Sequence, residues 1–115
     1  MNPFCIITIT ISLKSSDFFK TFKTVINQKN KNFFYIIVAS KADNYDIQKV
    51  EKILNDNNIK YKIIGNKDSS LYNAMNLGLD SAMHLPTLFL NSGDLFLNDN
   101  CSDLIQKKII KNKLN

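Results

Sequence analysis

The sequence predicts an α/β fold in which a mainly parallel sheet lies between layers of helices. Short apolar runs suited to strands alternate with segments whose apolar residues recur at helical spacing, in the order β-α-β-α-β-α-β with a final helix. Such connections are right-handed crossovers, which place helices on both faces of the sheet. No repeat, low-complexity segment or linker interrupts the 115 residues, so we expect one three-layer α/β/α domain spanning residues 1–115.

The first half of the chain supplies two strands and the helix between them. Residues 6–13 alternate β-branched apolar residues with threonine and serine, which indicates a strand. Ser15 or Ser16 then caps a helix whose first turn contains Asp17, where the helix dipole favours an acid. That helix carries one apolar stripe, formed by Phe18, Phe19, Phe22, Val25 and Ile26. Residues 33–38 are continuously apolar, which is typical of an interior strand covered on both faces.

The second half continues the alternation. A helix opens at Asp46, and residues 60–64 form a third strand. The next helix follows residue 68, and its predicted buried face comprises Leu71, Ala74, Met75, Gly78, Leu79 and Ala82. The glycine on this face is expected to let helix and sheet approach closely. Residues 87–90 suit a core strand, and residues 102–113 predict the final helix.

Polar residues follow each of the four predicted strands. They lie near Ser12, at residues 39–44, at residues 66–68 and at residues 91–94. Because ligands of parallel sheets gather outside the carboxyl ends of the strands, these four segments predict one shared binding site. Asp94 belongs to the last of them, directly after an apolar strand.

Composition and charge narrow the function classes. All fifteen basic residues are lysine, and the net charge is +5. The absence of arginine weakens a sequence-specific nucleic-acid function, and we expect no nucleic-acid partner. Cys5 and Cys101 have no metal-ligand spacing with His84, and they suit a reducing compartment. The apolar run at residues 4–13 is too short to cross a bilayer and does not resemble a signal peptide, so we expect a cytoplasmic location.

Two linked motifs carry a family resemblance. Residues 70–78 read SLYNAMNLG, and residues 91–94, thirteen positions after Gly78, read NSGD. This pair resembles the family 2 glycosyltransferases, and within them the bacterial exopolysaccharide and colanic-acid type, with its patterns G-I-Y-D-A-M-N-K-G and F-L-N-S-G-D. TITISLKS at residues 8–15 is similar to that family's V-I-T-V-A-F-R-N, and NFFYIIV at residues 32–38 to its N-F-E-Y-I-I-V. The similarity extends to about residue 96.

The resemblance implies a function and a site. It implies the nucleotide-sugar-binding part of a Rossmann-like, GT-A type transferase, which takes a nucleoside-diphosphate sugar together with Mg²⁺ or Mn²⁺ and serves a polysaccharide or lipid-linked acceptor. It implies that the metal is held by Asp94. The implied nucleotide-sugar-binding residues are Thr10, Asp43, Asp68, Tyr72, Asn76, Asn91 and Asp94. A metal of this kind prefers oxygen ligands and acts as a Lewis acid at the departing diphosphate.

The sequence departs from the family pattern in several places. Ala39 stands where the family has its first acid after the second strand, and Asp43 matches the second acid if one loop residue is missing. Asn73 replaces an aspartate. The family's acceptor half, with its catalytic base, follows the metal motif, whereas this chain ends at Asn115. We therefore expect an incomplete site, truncated before the acceptor half and without an identifiable catalytic residue.

Other interpretations stay open. The chain can instead be a non-catalytic remnant or interaction module that keeps the fold. A plain nucleotide-binding domain of another kind is weaker, because the sequence has no Gly-rich phosphate loop. Asp94 can be a loop acid and Tyr72 a packing residue. The apolar residues and lysines of the last helix favour packing on the domain, with weak association at an anionic membrane surface as the alternative. An unpaired sheet edge can favour self-association.

Overall fold

The computed structural model describes residues 3–66 and 70–114, and its helices and strands follow the predicted order. The strands are β1 (Cys5–Ser12), β2 (Phe34–Lys41), β3 (Lys60–Gly65) and β4 (Thr87–Phe89). The helices are α1 (Ser16–Ile26), α2 (Asn44–Asp56), α3 (Leu71–Ser81) and α4 (Cys101–Leu114). The predicted α/β class is confirmed.

The four strands form one parallel sheet in the order β3-β2-β1-β4. β1 pairs with β2 from Cys5↔Phe34 to Ser12↔Lys41, and on its other side with the short β4. Along the chain, β2 and β3 are therefore added on one side of β1. The connection that contains α3 then crosses the sheet, and β4 pairs with the other side of β1. The gap between β1 and β4 is the point at which the strand order reverses, which is where open α/β sheets bind their ligands.

One face of the sheet carries the larger core. The predicted stripe of α1 is confirmed, since Phe18, Phe22 and Val25 are fully buried and the ring of Phe22 stacks on Tyr35 of β2 at 6.3 Å. Val50 and Leu54 of α2 join the same cluster.

The last helix packs on this first core. Ile105 and Ile109 of α4 contact the cluster, which confirms the packed terminal helix. Leu104 and Ile110 stay exposed, and association with a membrane surface stays a prediction. No helix within residues 3–66 and 70–114 has the length and apolar content to cross a bilayer.

Within the described residues, α3 is the helix that covers the other face. Its contact with the sheet follows a narrow line of small residues, Ala74, Gly78 and Ala82, which are spaced one turn apart. An added Cβ at Gly78 would lie 2.9 Å from Ile7 Cγ2, so the expected close-packing role of this glycine is confirmed. The predicted burial of Leu71 and Leu79 is wrong, because they flank this line with no neighbouring helix in the described part of the chain to cover them, and they are 58% and 45% exposed.

Local capping explains where the first two helices begin. The Ser15 side chain accepts a hydrogen bond from Phe18 N, as the sequence predicts. α2 begins two residues earlier than expected, because Asp43 rather than a later residue provides its N-cap and accepts from Asp46 N. Each cap satisfies a backbone N–H that has no partner inside its helix.

Candidate functional site

A cleft of about 440 Å³ lies at the carboxyl edge of the sheet, where the sequence places the shared site. Residues at or shortly after the carboxyl end of each strand line it, together with residues at the starts of α1 and α3. Its lining residues are Ile9, Thr10, Ile11, Ser15, Asp17, Ser40, Asn66, Ser70, Leu71, Ala74 and Ser92. The N-terminal ends of both helices thus open on the cleft, and helix N-termini favour anions because their first N–H groups point outward.

The segment after β4 stays attached to β1. Leu90 N donates to Ile7 O at 2.8 Å and Ser92 N to Ile9 O at 3.1 Å, which extends the parallel pairing past the end of β4. The Asn91 side chain returns a bond, since its Oδ1 accepts from Ile9 N at 3.3 Å. These three bonds place residues 91–94, here called the NSGD turn, beside the end of β1.

Asp94 closes the NSGD turn. Its Oδ2 accepts from Asn91 N at 2.9 Å, and its own N–H donates to Asn91 O at 2.8 Å. Gly93 has φ +99°, a left-handed conformation that glycine adopts without strain. Asp94 itself is exposed, so its carboxylate lies at the rim of the sheet and not in the core. Of the NSGD turn, Ser92 lines the cleft, whereas Asn91 and Asp94 do not.

The residues at the rim suit a metal held partly by its ligand. A carboxylate has about four lone-pair positions, so Asp94 can accept the bond from Asn91 and still coordinate an ion. Among the described residues no group of three or more His, Cys, Asp or Glu could hold a metal. Mg²⁺ and Mn²⁺ often use one or two protein carboxylates and complete their coordination with phosphate and water. The donor set therefore fits an ion that arrives with a phosphorylated ligand.

Thr10 lines the cleft, and its role in nucleotide-sugar binding stays a prediction. It is nearly buried at the end of β1, and its Oγ1 donates to Ser12 O at 3.0 Å. Ser40, at the end of β2, also lines the cleft. Ala39, the position at which the resembling family has its first acid, is buried and does not line the cleft.

Asn66 joins the end of β3 to the start of α3 through hydrogen bonds. The sequence pattern indicated this residue only as part of a polar segment. Asn66 N donates to Ala39 O at 3.0 Å and its Nδ2 to Ser70 O at 3.2 Å. Its Oδ1 accepts from Asn73 Nδ2 at 2.9 Å. Asn73 thus bonds the first turn of α3 to the end of β3.

Asp43 lies outside this cleft. As the N-cap of α2 it accepts from Asp46 N at 2.9 Å, and its other oxygen is 3.4 Å from Lys14 Nζ. The backbone hydrogen bond from Asp46, with the nearby Lys14 ammonium, holds the pKa of Asp43 below its usual value. The structure does not bring Asp43 together with Thr10, and its role in nucleotide-sugar binding stays a prediction.

The remaining predicted site residues are on or near α3. Tyr72 is 77% exposed, Asn76 is also exposed, and neither lines the cleft. Asp68 lies outside the described residues. The roles of these three side chains stay predictions, as do those of Asn91 and Asp94.

Sequence reasoning missed two residues of α1 beside the NSGD turn. Asp17, read only as a first-turn acid, lines the cleft, and its carbonyl accepts from Gly93 N at 3.3 Å. Thr21 is fully buried within the aromatic stripe and bonds to the same turn. The sequence did offer a signal for Thr21. It is a hydroxyl residue on the apolar side of α1, and a buried hydroxyl needs a hydrogen-bond partner.

The strand order and the cleft at its reversal point define a Rossmann-like α/β domain. No family model matches the sequence, and no curated protein matches it. Solved structures of S. aureus TarS, a glycosyltransferase, share the fold. TarS 1–349 in complex with UDP matches 96% of this chain with a TM-score of 0.76 at 19% identity, and TarS 1–349 matches 94% with a TM-score of 0.69 at 17% identity.

These matches involve only part of the TarS chains. A longer TarS structure aligns with 96% of this chain at a TM-score of 0.70 and 18% identity. The chain spans 20% of that structure and 32% of the two TarS 1–349 structures. The comparisons therefore establish a Rossmann-like, GT-A-like fold for this chain.

Proposed function

We propose that this chain is the nucleotide-sugar-binding part of a glycosyltransferase of the exopolysaccharide type. The cleft at the carboxyl edge takes the nucleoside-diphosphate portion of the donor, and Asp94 would hold the Mg²⁺ or Mn²⁺ that accompanies the diphosphate. Thr10 lines the nucleotide pocket, and Asn91, Asp68, Tyr72, Asn76 and Asp43 are the further candidate contacts.

The observation that carries this proposal is the convergence of the NSGD turn and two helix N-termini on one cleft. Ser92 of the turn, Ser15 before α1 and Ser70 before α3 all line it. A helix N-terminus carries roughly half a positive charge, which suits a diphosphate. The structure of TarS 1–349 in complex with UDP, which shares this fold, supports a nucleotide-sugar ligand.

A metal adds the chemistry that the diphosphate needs. When bound, it neutralises negative charge that builds on the departing nucleoside diphosphate. In this proposal the chain positions the Asp94 carboxylate at the rim of the sheet through its two hydrogen bonds to Asn91. The proposed acceptor is a glycan or a lipid-linked sugar.

Calorimetric titration of UDP and GDP, with and without Mn²⁺, tests the proposal. Asp94→Asn keeps an oxygen that can accept from Asn91 N but removes the charge, whereas Asp94→Ala removes both. We expect each variant to weaken Mn²⁺-dependent binding by at least about tenfold, the usual scale for a perturbed metal site. Asp80→Asn, at an exposed position of α3 that does not line the cleft, is the matched control and should bind like the wild type.

The variants separate the possible failures. If Asp94→Ala weakens binding and Asp94→Asn does not, the carboxylate only closes the turn and holds no metal. If the wild type binds neither nucleotide in Mn²⁺, the donor-binding proposal is wrong. Efficient sugar transfer by the isolated chain from labelled nucleotide-sugars would contradict the incomplete site.

A second candidate is a module that keeps the fold without binding a donor. The end of β2 favours it, because Ala39 replaces the family's acid and Asp43 contacts Lys14 outside the cleft. The same titration decides between the two, since this module gives no metal-dependent heat with either nucleotide.

A further inference from the structure

A row of polar side chains on α1 and directly after it holds the irregular segment between β4 and α4. Thr21 and Thr24 lie on one side of α1, and Gln28 follows two residues after the helix ends. Thr24 Oγ1 accepts from Phe96 N at 3.2 Å, and Gln28 Nε2 donates to Asn98 O at 2.7 Å. Thr21 is the member of this row that contacts the NSGD turn.

The hydroxyl of Thr21 meets the turn in two places. Its Oγ1 accepts from Gly93 N at 2.8 Å and lies 3.2 Å from Asn91 O. It is also 3.2 Å from Asp17 O one turn earlier, the carbonyl with which a helical threonine usually bonds. With one hydrogen to give, the hydroxyl donates to one of these carbonyls at a time while it accepts from Gly93.

These contacts bear on Asp94, because Asn91 and Gly93 are the residues that hold its carboxylate. Asn91 contributes both the N–H and the carbonyl that bond to Asp94. Gly93, directly before Asp94, is joined to α1 through Thr21 and Asp17. Thr21, which is fully buried in α1, therefore links the core to the NSGD turn and its exposed Asp94.

We infer that Thr21 is a positioning residue that sets the place of the Asp94 carboxylate for metal-dependent donor binding. The inference rests on the proposed function of the cleft and deepens it. Without this hydroxyl the Gly93 N–H loses its short bond, and the NSGD turn samples positions in which Asp94 no longer meets a metal on the diphosphate. Partners that orient a metal ligand in this way affect metal affinity by about 10- to 100-fold.

The chain offers a matched control in Thr24. Thr21→Val and Thr24→Val each replace a hydroxyl by a methyl of similar shape, and each removes one acceptor for a backbone N–H of the same segment. Only the first of these N–H groups belongs to the NSGD turn. Thr21→Ser keeps the hydroxyl and serves as the rescue variant.

The experiment measures UDP affinity with and without Mn²⁺, thermal stability and amide hydrogen exchange for the three variants. We expect Thr21→Val to bind UDP about tenfold more weakly in Mn²⁺ than the wild type, and its Gly93 amide hydrogen to exchange faster. In Thr24→Val the amide hydrogen of Phe96 should exchange faster instead, and the UDP affinity in Mn²⁺ should stay within about twofold of the wild type. Thr21→Ser should recover most of the wild-type UDP affinity.

Each outcome has a distinct meaning. If the wild type binds and Thr21→Val binds equally well, or loses affinity to the same degree as Thr24→Val, Thr21 is structural only and the inference is overturned. If the wild type binds neither UDP nor GDP in Mn²⁺, the proposed function is overturned and the binding role of Thr21 with it.

Discussion

Gln28 offers a sharp test of how the structure stays assembled. Its side chain is fully buried, and Nε2 donates to Asn98 O at 2.7 Å and to Thr24 O at 3.0 Å. Its Oε1 accepts from Ser102 N at 2.9 Å, in the first turn of α4. One amide thus ties the end of α1 both to the connecting segment and to the start of the last helix.

Replacing Gln28 by leucine preserves the approximate volume and removes all three bonds. The buried N–H of Ser102 then loses its partner, and an unsatisfied buried group costs about 1–3 kcal/mol, whereas Asn98 is exposed and its carbonyl can bond to water. We expect the free energy of unfolding to fall by about 1–3 kcal/mol, compared with the 5–15 kcal/mol typical of a domain. At about 4 °C per kcal/mol for this size, Tm falls by roughly 4–12 °C.

The assay is urea and thermal unfolding followed by circular dichroism, with amide exchange in α4 as a second measurement. Gln48→Leu, at an exposed position of α2, makes the same chemical change and should stay within about 0.5 kcal/mol of the wild type. Amides of α4 should exchange faster in Gln28→Leu than in this control. A loss in Gln28→Leu no larger than that of Gln48→Leu would refute the reasoning.

Two further predictions concern packing and a buried thiol. Gly78→Ala places a Cβ 2.9 Å from the core residue Ile7, which should lower the free energy of unfolding by about 1–3 kcal/mol. The better helix propensity of alanine offsets about 1 kcal/mol of this loss. In the control Gly65→Ala the new Cβ has no atom within 4 Å, so this variant should be neutral or slightly stabilising. Chemical denaturation measures both, and a Gly78→Ala protein more stable than wild type would contradict the close contact. Burial raises the pKa of the Cys5 thiol to about 12, so at pH 8 a thiol reagent should modify only Cys101 in the native protein and both cysteines after unfolding. Because the unfolded thiol ionises near its ordinary pKa of 9.0, this group contributes stability below pH 9 that is lost as pH rises toward 12. Equal labelling rates of the two native thiols would contradict the burial of Cys5.

Part of the candidate site followed from local pattern, and part did not. The end of β4 at the NSGD turn was predictable, because an apolar run that meets four polar or small residues has to leave the core. The Asp43 cap bonds to Asp46, three residues further on, so its signal was local although the predicted helix began at Asp46. The ion pair of Asp43 with Lys14 was not predictable, since the two residues lie in segments far apart in the sequence. The same holds for Thr21, whose partners are some seventy positions further along the chain.

The sequence by itself determined the order of strands and helices, a serine cap at residue 15 or 16 and the close approach at Gly78. These depend on periodicity, hydrophobicity and side-chain size within a few turns of chain, which local pattern records directly. Only the tertiary structure decided the strand order β3-β2-β1-β4, and with it which strand ends share the cleft. It also left Leu71 exposed, because among the residues that the structure describes α3 is the helix that covers that face. Such features depend on contacts between distant segments, and no local pattern specifies them.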